Sequence, residues 1–347
     1  MALTVLRIAS REKPRPWRSE TINASFDIIP PLFNKGIRTR QELYSLLDRL
    51  APSIVVVVGY DGAIFRASAR WARAHRVPCV LACESWKCSN RCLFIKELAK
   101  SFLIRLLYNG AFVAGHLAAE YLVSLGMPRE RIRRGYDVVD NDQFEKGAEQ
   151  VLGRADEIIK KLDLPKDYFL FCGRLAPEKN LRRLLSAFQS YSAGGGKWNL
   201  VIVGSGPQER EIKARAEALG GRVRFIPWLQ LEDLTSVYAL ARCFILPSIS
   251  EPWGLVVNEA MAAGLPVLVS RRCGCWPDLC WRGINGYDFD PIDVEAMASL
   301  MRRISSGQID LKRMGEASRR IISNFTPETW AASLADCAET LCSRRVR

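Results

Sequence analysis

The segment Ser248–Ser270, SISEPWGLVVNEAMAAGLPVLVS, holds a loop, a helix and a strand in close succession. A strand, Cys243–Leu246, ends just ahead of it at Pro247, and a short loop then carries Glu251. Pro252 and Gly254 open a helix that contains Glu259 and stops before Gly264. Proline suits a first helical turn because its missing N–H would have no partner there. The free N–H groups near Gly254, Leu255 and Val256 form a natural phosphate site. Glu259 lies roughly 5 Å along the helix axis, about one turn in, and Glu251 sits on the loop before it. One carboxylate can thus reach sugar hydroxyls and the other a ribose, with phosphates between. Taken alone, the segment reads equally well as a capped surface helix with incidental acids, which are common near helix starts.

Outward from this unit, strands and helices alternate. Upstream lie Tyr168–Cys172 (YFLFC), Asn199–Val203 and Val223–Ile226 as strands, and Leu181–Ser190, Gln208–Leu219 and Leu231–Leu240 as helices. An earlier block repeats the pattern. Ile54–Gly59 (IVVVVG) is a β-branched run suited to a strand buried on both faces. Pro78–Cys83 and Ala111–Ala114 follow as strands, with helices at Gln41–Leu50 and Arg66–Ala74. Repeated β-α-β units with short connections imply an α/β protein with parallel, doubly wound sheets. Two blocks imply two Rossmann-like domains facing across a cleft, residues 1–147 and 148–326. The polar, Gly-containing stretch Glu145–Gly153 is the expected joint.

The 347-residue length fits two such domains better than one core. Hydrophobic residues make up 48% and charged residues 25%, and no apolar run approaches the roughly 18 residues of a membrane span. The start, MALTVLRIASREKPRP, has no apolar stretch of signal-peptide length, so a cytoplasmic location is expected. The net charge of +13 attracts anions, whether nucleoside diphosphates, nucleic acid or an anionic membrane. No helix-turn-helix, zinc-finger or RNP-like string is present, which argues against sequence-specific nucleic-acid binding. The 11 cysteines read as reduced thiols. Their clusters, Cys79/Cys83/Cys88/Cys92 and Cys273/Cys275/Cys280, lack a C-x-x-C pair, and neither His75 nor His116 joins them, so no metal site is expected.

Two further turns carry chemistry. The loop after Tyr168–Cys172 reads Gly173-Arg174-Leu175-Ala176-Pro177-Glu178-Lys179-Asn180. Arg174 and Lys179 stand at the carboxyl edge of the sheet, where ligands bind in this architecture. There they are suited to hold a diphosphate and stabilise it as a leaving group, though solvated surface cations read the same way. The turn Val203-Gly204-Ser205-Gly206-Pro207 is by itself as much a tight turn as a ligand contact.

The strings GRLAPEKN, VGSGP and E-P-W-G-L-x-x-x-E-A, with seven residues between its glutamates, resemble the carboxyl-terminal domain of family-4 retaining glycosyltransferases across Tyr168–Pro291. Upstream, Gly115, Leu125-Gly126-Met127-Pro128, Gly135–Asn141 and Ala82–Ser85 (ACES) resemble one bacterial branch of that family. The resemblance implies a two-domain (GT-B) fold and a sugar moved from a nucleotide-sugar donor, with retention and without metal or cofactor. It implies that Arg174 and Lys179 bind the diphosphate, Glu251 faces the donor sugar and Glu259 bonds the ribose. Gly173, Glu178, Gly204, Gly206 and the backbone at Trp253, Gly254 and Leu255 line the donor site, and Glu84 and Ser85 lie on the acceptor side. The acceptor is a glycan, a lipid-linked sugar or a small molecule. A sugar-nucleotide epimerase on the same scaffold, or an inactive sugar-nucleotide binder, are the alternatives, because fold does not fix chemistry.

The amino-terminal half departs from that family. LTVLRIAS matches its second strand, so the first β-α unit is expected to be missing, and a basic, Pro-rich loop (Arg11–Arg18) follows. The strings Asp140-Asn141-Asp142 and Asp288-Phe289-Asp290 match a metal-binding D-x-D but also acids in turns. Arg91–Tyr108 is basic and amphipathic, which fits either a helix with a core face or an interfacial helix on anionic lipid. Pro327–Leu341 is expected to be a helix, and by the resemblance it packs back on the first domain. Ser343–Arg347 is a basic tail.

Overall fold

A computed structural model describes residues 4–6, 27–29, 39–87 and 94–343. The elements, in chain order, begin with β1 (Thr4–Leu6), β2 (Asp27–Ile29), α1 (Arg40–Leu50), β3 (Val55–Val58), α2 (Ala63–Ala74) and β4 (Cys79–Cys83). Next come α3 (Phe94–Leu107), β5 (Gly110–Val113), α4 (His116–Ser124), β6 (Ile132–Arg134), α5 (Asn141–Leu152) and α6 (Ala155–Leu162). The second half holds β7 (Tyr168–Cys172), α7 (Leu181–Ala193), β8 (Asn199–Val203), α8 (Glu209–Glu217), β9 (Val223–Ile226), α9 (Leu231–Leu240) and β10 (Cys243–Leu246). It ends with α10 (Leu255–Ala262), β11 (Val267–Ser270), α11 (Trp276–Leu279), β12 (Gly286–Phe289), α12 (Val294–Ile304), α13 (Leu311–Ile322) and α14 (Pro327–Ser343).

Every strand pair is parallel among the described residues. One sheet is four-stranded in the order β3-β4-β5-β6, and β1 pairs with β2 apart from it. The other is six-stranded in the order β12-β11-β10-β7-β8-β9. That order reverses between β7 and β10, and a reversal of this kind leaves a crevice at the carboxyl ends of the two strands. Each sheet has its own core. Val57, Leu81, Ala111, Val113, Trp71 and Leu122 fill the first, and Phe169, Phe171, Val201, Ile245, Val257 and Leu268 the second. Among the described residues no helix is long and apolar enough to cross a membrane.

Two expectations need correction. Glu145–Gly153 is not a linker, because residues 145–152 belong to α5, which packs along α9 and α10. Phe144, Ala148 and Val151 are its buried stripe, and a side chain at Gly147 would meet Thr235 Cγ2 at 2.2 Å. That glycine permits close helix contact rather than a bend, and the chain crosses between sheets before Asn141. β3 is not buried on both faces, since Val56 and Val58 are 41% and 52% exposed while Val55 and Val57 are covered. α3 has a core face, with Ile104 and Leu107 buried, and it also leaves Leu98, Phe102 and Leu106 exposed. Arg11–Arg18 and the last four residues of the basic tail lie outside the described residues.

α14 returns to the first sheet and lies on β5 and β6. Trp330 packs edge-on to Phe112 with ring centres 5.5 Å apart, and Cys337 and Leu341 complete that small core. Arg133 on β6 bonds Asp336 and, at 3.3 Å, Thr340.

Candidate donor site

The two loops at the strand-order reversal grow from adjacent strands, with Cys243 and Phe244 of β10 paired to Phe169 and Leu170 of β7. The loop after β7 carries Arg174 and Lys179, and the loop after β10 carries Glu251. Their backbones are tied by a bond from Ile249 N to Glu178 O (2.8 Å). Asn180 locks them together. It adopts a left-handed backbone (φ +59°), and its buried Nδ2 donates to Pro247 O (3.1 Å) and Pro291 O (2.8 Å). Short polar side chains tolerate that conformation, so one asparagine both starts α7 and staples the loops that follow β7, β10 and β12.

The glycines of the third turn are explained by packing. Gly173 N bonds Val203 O (3.0 Å), and Leu175 N bonds Ser205 O (2.9 Å). A side chain on Gly204 (φ +135°) would meet Gly173 O at 2.0 Å, and one on Gly206 would meet Leu175 O at 2.5 Å. Both are glycine because one loop lies directly on the next. Gly204→Ala adds a backbone clash to an unfavourable φ and is expected to cost about 3 kcal/mol. For a domain of this size the melting temperature then falls by roughly 6–12 °C in a calorimetric scan; an unchanged midpoint would contradict the contact.

Between the loops, Lys179 Nζ forms a largely buried ion pair with Glu251 Oε2, which also accepts from Ser248 Oγ at 3.1 Å. Arg174 stands exposed on the same edge, with no side-chain partner among the described residues. Gly254 (φ +113°) caps α10, leaving Leu255 exposed at its first turn. The leading N–H groups of α10 have no intrahelical acceptor, so together with the helix dipole they face the crevice as a partial positive charge. Glu259 lies deeper on α10, where its Oε2 accepts from Tyr238 OH at 2.7 Å. Burial pushes the Glu259 carboxyl up to about 7, although the Tyr238 bond pulls it down. Burial also pushes Cys172, at the end of β7, up to about 12, which leaves a neutral thiol at neutral pH.

The first domain closes one side of the crevice. Trp86 Nε1 donates to Glu251 O at 3.0 Å. Trp253 is buried and its indole leaves the crevice. Nε1 donates to Asn258 Oδ1 (2.9 Å), and the ring lies against Gly115, where an added Cβ would meet it at 2.5 Å. Its backbone belongs to the loop before α10. Asn258 Nδ2 reaches Asp137 O at 3.2 Å, and His116 N donates to Asp278 Oδ2 at 2.8 Å. Ser85 hydrogen-bonds Tyr60. Glu84 borders a cavity of about 320 Å³ with Tyr136, Asp137, Val138, Pro327 and Trp330. Asp137 is buried there, and its Oδ2 has no hydrogen-bond partner. Its carboxyl is pushed up to about 8 by burial first and by Glu84 second.

The D-x-D acids have other work. Asp140 caps α5 through Gln143 N (3.2 Å), and Asp142 pairs with Lys146 (2.7 Å). Asp288 accepts from Arg282 Nε (2.9 Å), and Asp290 from Ile292 N (3.2 Å). Among the described residues no three His, Cys, Asp or Glu side chains converge on a metal position. Cys79, Cys83, Cys273, Cys275 and Cys280 are buried and form no disulfide, and Cys88 and Cys92 lie outside the described residues. Sequence reasoning assigned no role to Asn180, Trp86, Tyr238, Asp137 or Asn258. Asn258 had a signal, since an amide inside the apolar run LVVNEAMA needs buried partners.

Two Rossmann-like domains with parallel sheets, joined across a crevice and strapped by a carboxyl-terminal helix, define the GT-B fold shared by many glycosyltransferases. Residues 154–321 match the family described as "Glycosyl transferases group 1". The chain is 32% identical over 157 residues to the sulfoquinovosyl transferase SQD2 of Arabidopsis thaliana, covering 44% of this chain and 29% of that protein. It is 30% identical over 259 residues to the D-inositol 3-phosphate glycosyltransferase of Streptomyces avermitilis, covering 70% of this chain and 54% of that one. The chain thus spans about half or less of the length of these two relatives. Among solved structures, a glycosyltransferase from Rickettsia africae superposes with a TM-score of 0.75 at 15% identity, over 91% of this chain and 85% of that one. Anabaena HepE in complex with UDP superposes at 0.70 and 17% identity, over 86% and 82%. At such identities the likeness shows the fold.

Proposed function

We propose that the chain is a retaining glycosyltransferase that moves a sugar from a nucleotide-sugar donor to a hydroxyl-bearing acceptor, with no metal or cofactor. The observation that carries this reading is the convergence of Lys179, Glu251, Arg174 and the start of α10 on one crevice. Cations and free N–H groups there meet a diphosphate, and acids on either side meet the hydroxyls of sugar and ribose. Arg174 and Lys179 neutralise the departing diphosphate, Glu251 orients the sugar, and Glu259 accepts from the ribose. The acceptor oxygen attacks the anomeric carbon on the face the diphosphate leaves. The C–O bond breaks toward phosphate, and the acceptor proton passes to a departing phosphate oxygen. The donor side is built by residues 141–326. The acceptor side is built by the residues before them, including Glu84 and Ser85, together with α14. A cytoplasmic place at the periphery of a membrane belongs to the same proposal.

The test is a thermal-shift and hydrolysis screen with UDP-, GDP- and ADP-sugars. A ligand that binds only the folded state raises the melting point by mass action. We expect one donor class to stabilise the protein and to be slowly hydrolysed. Stabilisation without turnover, persisting across an acceptor panel, would favour an inactive binder. No stabilisation by any nucleotide sugar would sink the reading.

A further inference from the structure

We infer that the outward face of α3 docks on an anionic lipid surface. The inference supplies the contact for the proposed peripheral location and does not depend on the transfer chemistry. A helix on a water-exposed surface buries its apolar stripe and shows its charges. α3 buries Ile104 and Leu107 in the first core, yet carries a second apolar stripe on its outward side. Its inward face carries the charged pair Glu97 and Lys100, bonded at 3.1 Å, and Lys100 also reaches Tyr121 OH at 3.0 Å. Ser101 Oγ on the same side donates to Leu125 O at 2.7 Å. Leu98, Phe102 and Leu106 recur on successive turns and point outward, 61%, 68% and 37% exposed. Ala99 lies exposed within the same stripe.

The surroundings select the occupant. α2 and α3 together carry six Lys or Arg side chains and one acid, Glu97, which is turned inward and neutralised. Arg73 on α2 donates to Leu106 O at 2.6 Å, so its guanidinium stands at one end of the stripe. Arg105 lies beside it, exposed, with its stem over Gly126. Exposed Lys96 flanks the other end and exposed Arg70 lies one turn from Arg73. An apolar line rimmed by cations and free of outward acids fits lipid with anionic headgroups. There the rings and aliphatic chains enter the acyl boundary while guanidinium and ammonium groups meet phosphate. The same helix follows the strand β4 and the Glu84–Trp86 loop, so the docked face lies one short segment from the crevice. A lipid-anchored acceptor would arrive on that side.

The experiment is co-sedimentation of the full chain with vesicles of phosphatidylcholine alone and of phosphatidylcholine mixed with phosphatidylglycerol. We expect sedimentation with the anionic vesicles only, reversed at about 1 M salt, where charges are screened beyond about 3 Å. Leu98→Ser with Phe102→Ser should lower the bound fraction about tenfold or more while leaving the melting temperature unchanged, because both side chains already face solvent. Arg105→Glu should weaken binding in a salt-sensitive way. Absence of binding to anionic vesicles overturns the inference, as does wild-type binding by the double serine variant. A chain that is dimeric by light scattering, becomes monomeric in the double variant and ignores vesicles would assign the face to a second copy and overturn it equally. Vesicle binding is read without donor or acceptor, so it stands or falls apart from the transferase reading.

Discussion

Lys179→Ala lowers the rate of nucleoside diphosphate release by two orders of magnitude or more, measured with whichever nucleotide sugar the screen identifies. The charge of Lys179 counts most as the diphosphate leaves, when negative charge accumulates in a crevice shielded from water. A preorganised contact of that kind is worth about 3–4 kcal/mol in the transition state. The residue also has a second effect that must be separated. In the free protein it pairs with Glu251, and removing one member of a buried pair leaves an uncompensated carboxylate, which costs roughly 3–5 kcal/mol. Lys179→Ala should therefore lower the melting temperature as well as activity. Glu251→Gln removes the charge that would be stranded, so the double variant Lys179→Ala with Glu251→Gln recovers stability but not turnover. The coupling energy in the melting data measures the pair, and the missing turnover measures the chemistry. Near-normal rates in both single variants would refute the assignment of the crevice. Loss of rate that returns with stability in the double variant would assign Lys179 a purely structural duty.

The second domain was legible because its strands are short apolar runs bounded by glycine and proline, and its helices carry a 3.6-residue stripe. Glu251 and Glu259 were legible for a related reason, since a loop acid and a helix acid at fixed spacing share one end of a helix. Other features depend on contacts that no local pattern announces. α5 was read as a joint because it is polar and contains Gly147. What holds it as a helix is the Asp140 cap and the burial of Phe144, Ala148 and Val151, and Gly147 lets it lie close to Thr235, far along the chain. Tyr238 reaches Glu259 from another helix, and Trp86 reaches Glu251 from another domain. β3 and α3 show the limit of composition. Val55–Val58 and Leu98–Leu106 are apolar enough for a core, yet burial depends on what the fold lays over them, and half of each is left uncovered. Nothing local to Asn180 announces its task, because only its left-handed backbone and two carbonyl partners reveal that it joins three loops.

Glu259→Gln is expected to stabilise the free protein at alkaline pH while weakening donor binding, and the two effects have one cause. Burial holds the folded carboxyl near 7, against 4.5 for an unperturbed glutamate. Between those values the folded state keeps a proton that the unfolded chain gives up, so the group's contribution to stability falls as pH rises, and the full penalty is present above about 7. At 1.36 kcal/mol per pKa unit the penalty is on the order of 3 kcal/mol. A neutral glutamine keeps the bond from Tyr238 and escapes the penalty, so its melting temperature at about pH 8 should exceed that of the wild type. At about pH 4, below the unfolded value, where both states of the wild type keep the proton, the two should nearly coincide. The proposed ribose contact needs the opposite state. A carboxylate accepts from sugar hydroxyls more strongly than an acid or an amide does, by about 1.5–3 kcal/mol for a charged hydrogen bond. Wild-type donor affinity should therefore rise with pH through about 7, and the proton held by Glu259 should be released on binding. The variant should bind about tenfold or more weakly at high pH and show no such rise. Titration calorimetry across the pH range, repeated in buffers of different ionisation enthalpy, reads both the affinity and the released proton. A variant that is less stable than wild type at alkaline pH would contradict the buried, unpaired carboxylate. A variant whose donor affinity and proton release match the wild type would remove Glu259 from the ribose and leave it a buried acid held by Tyr238.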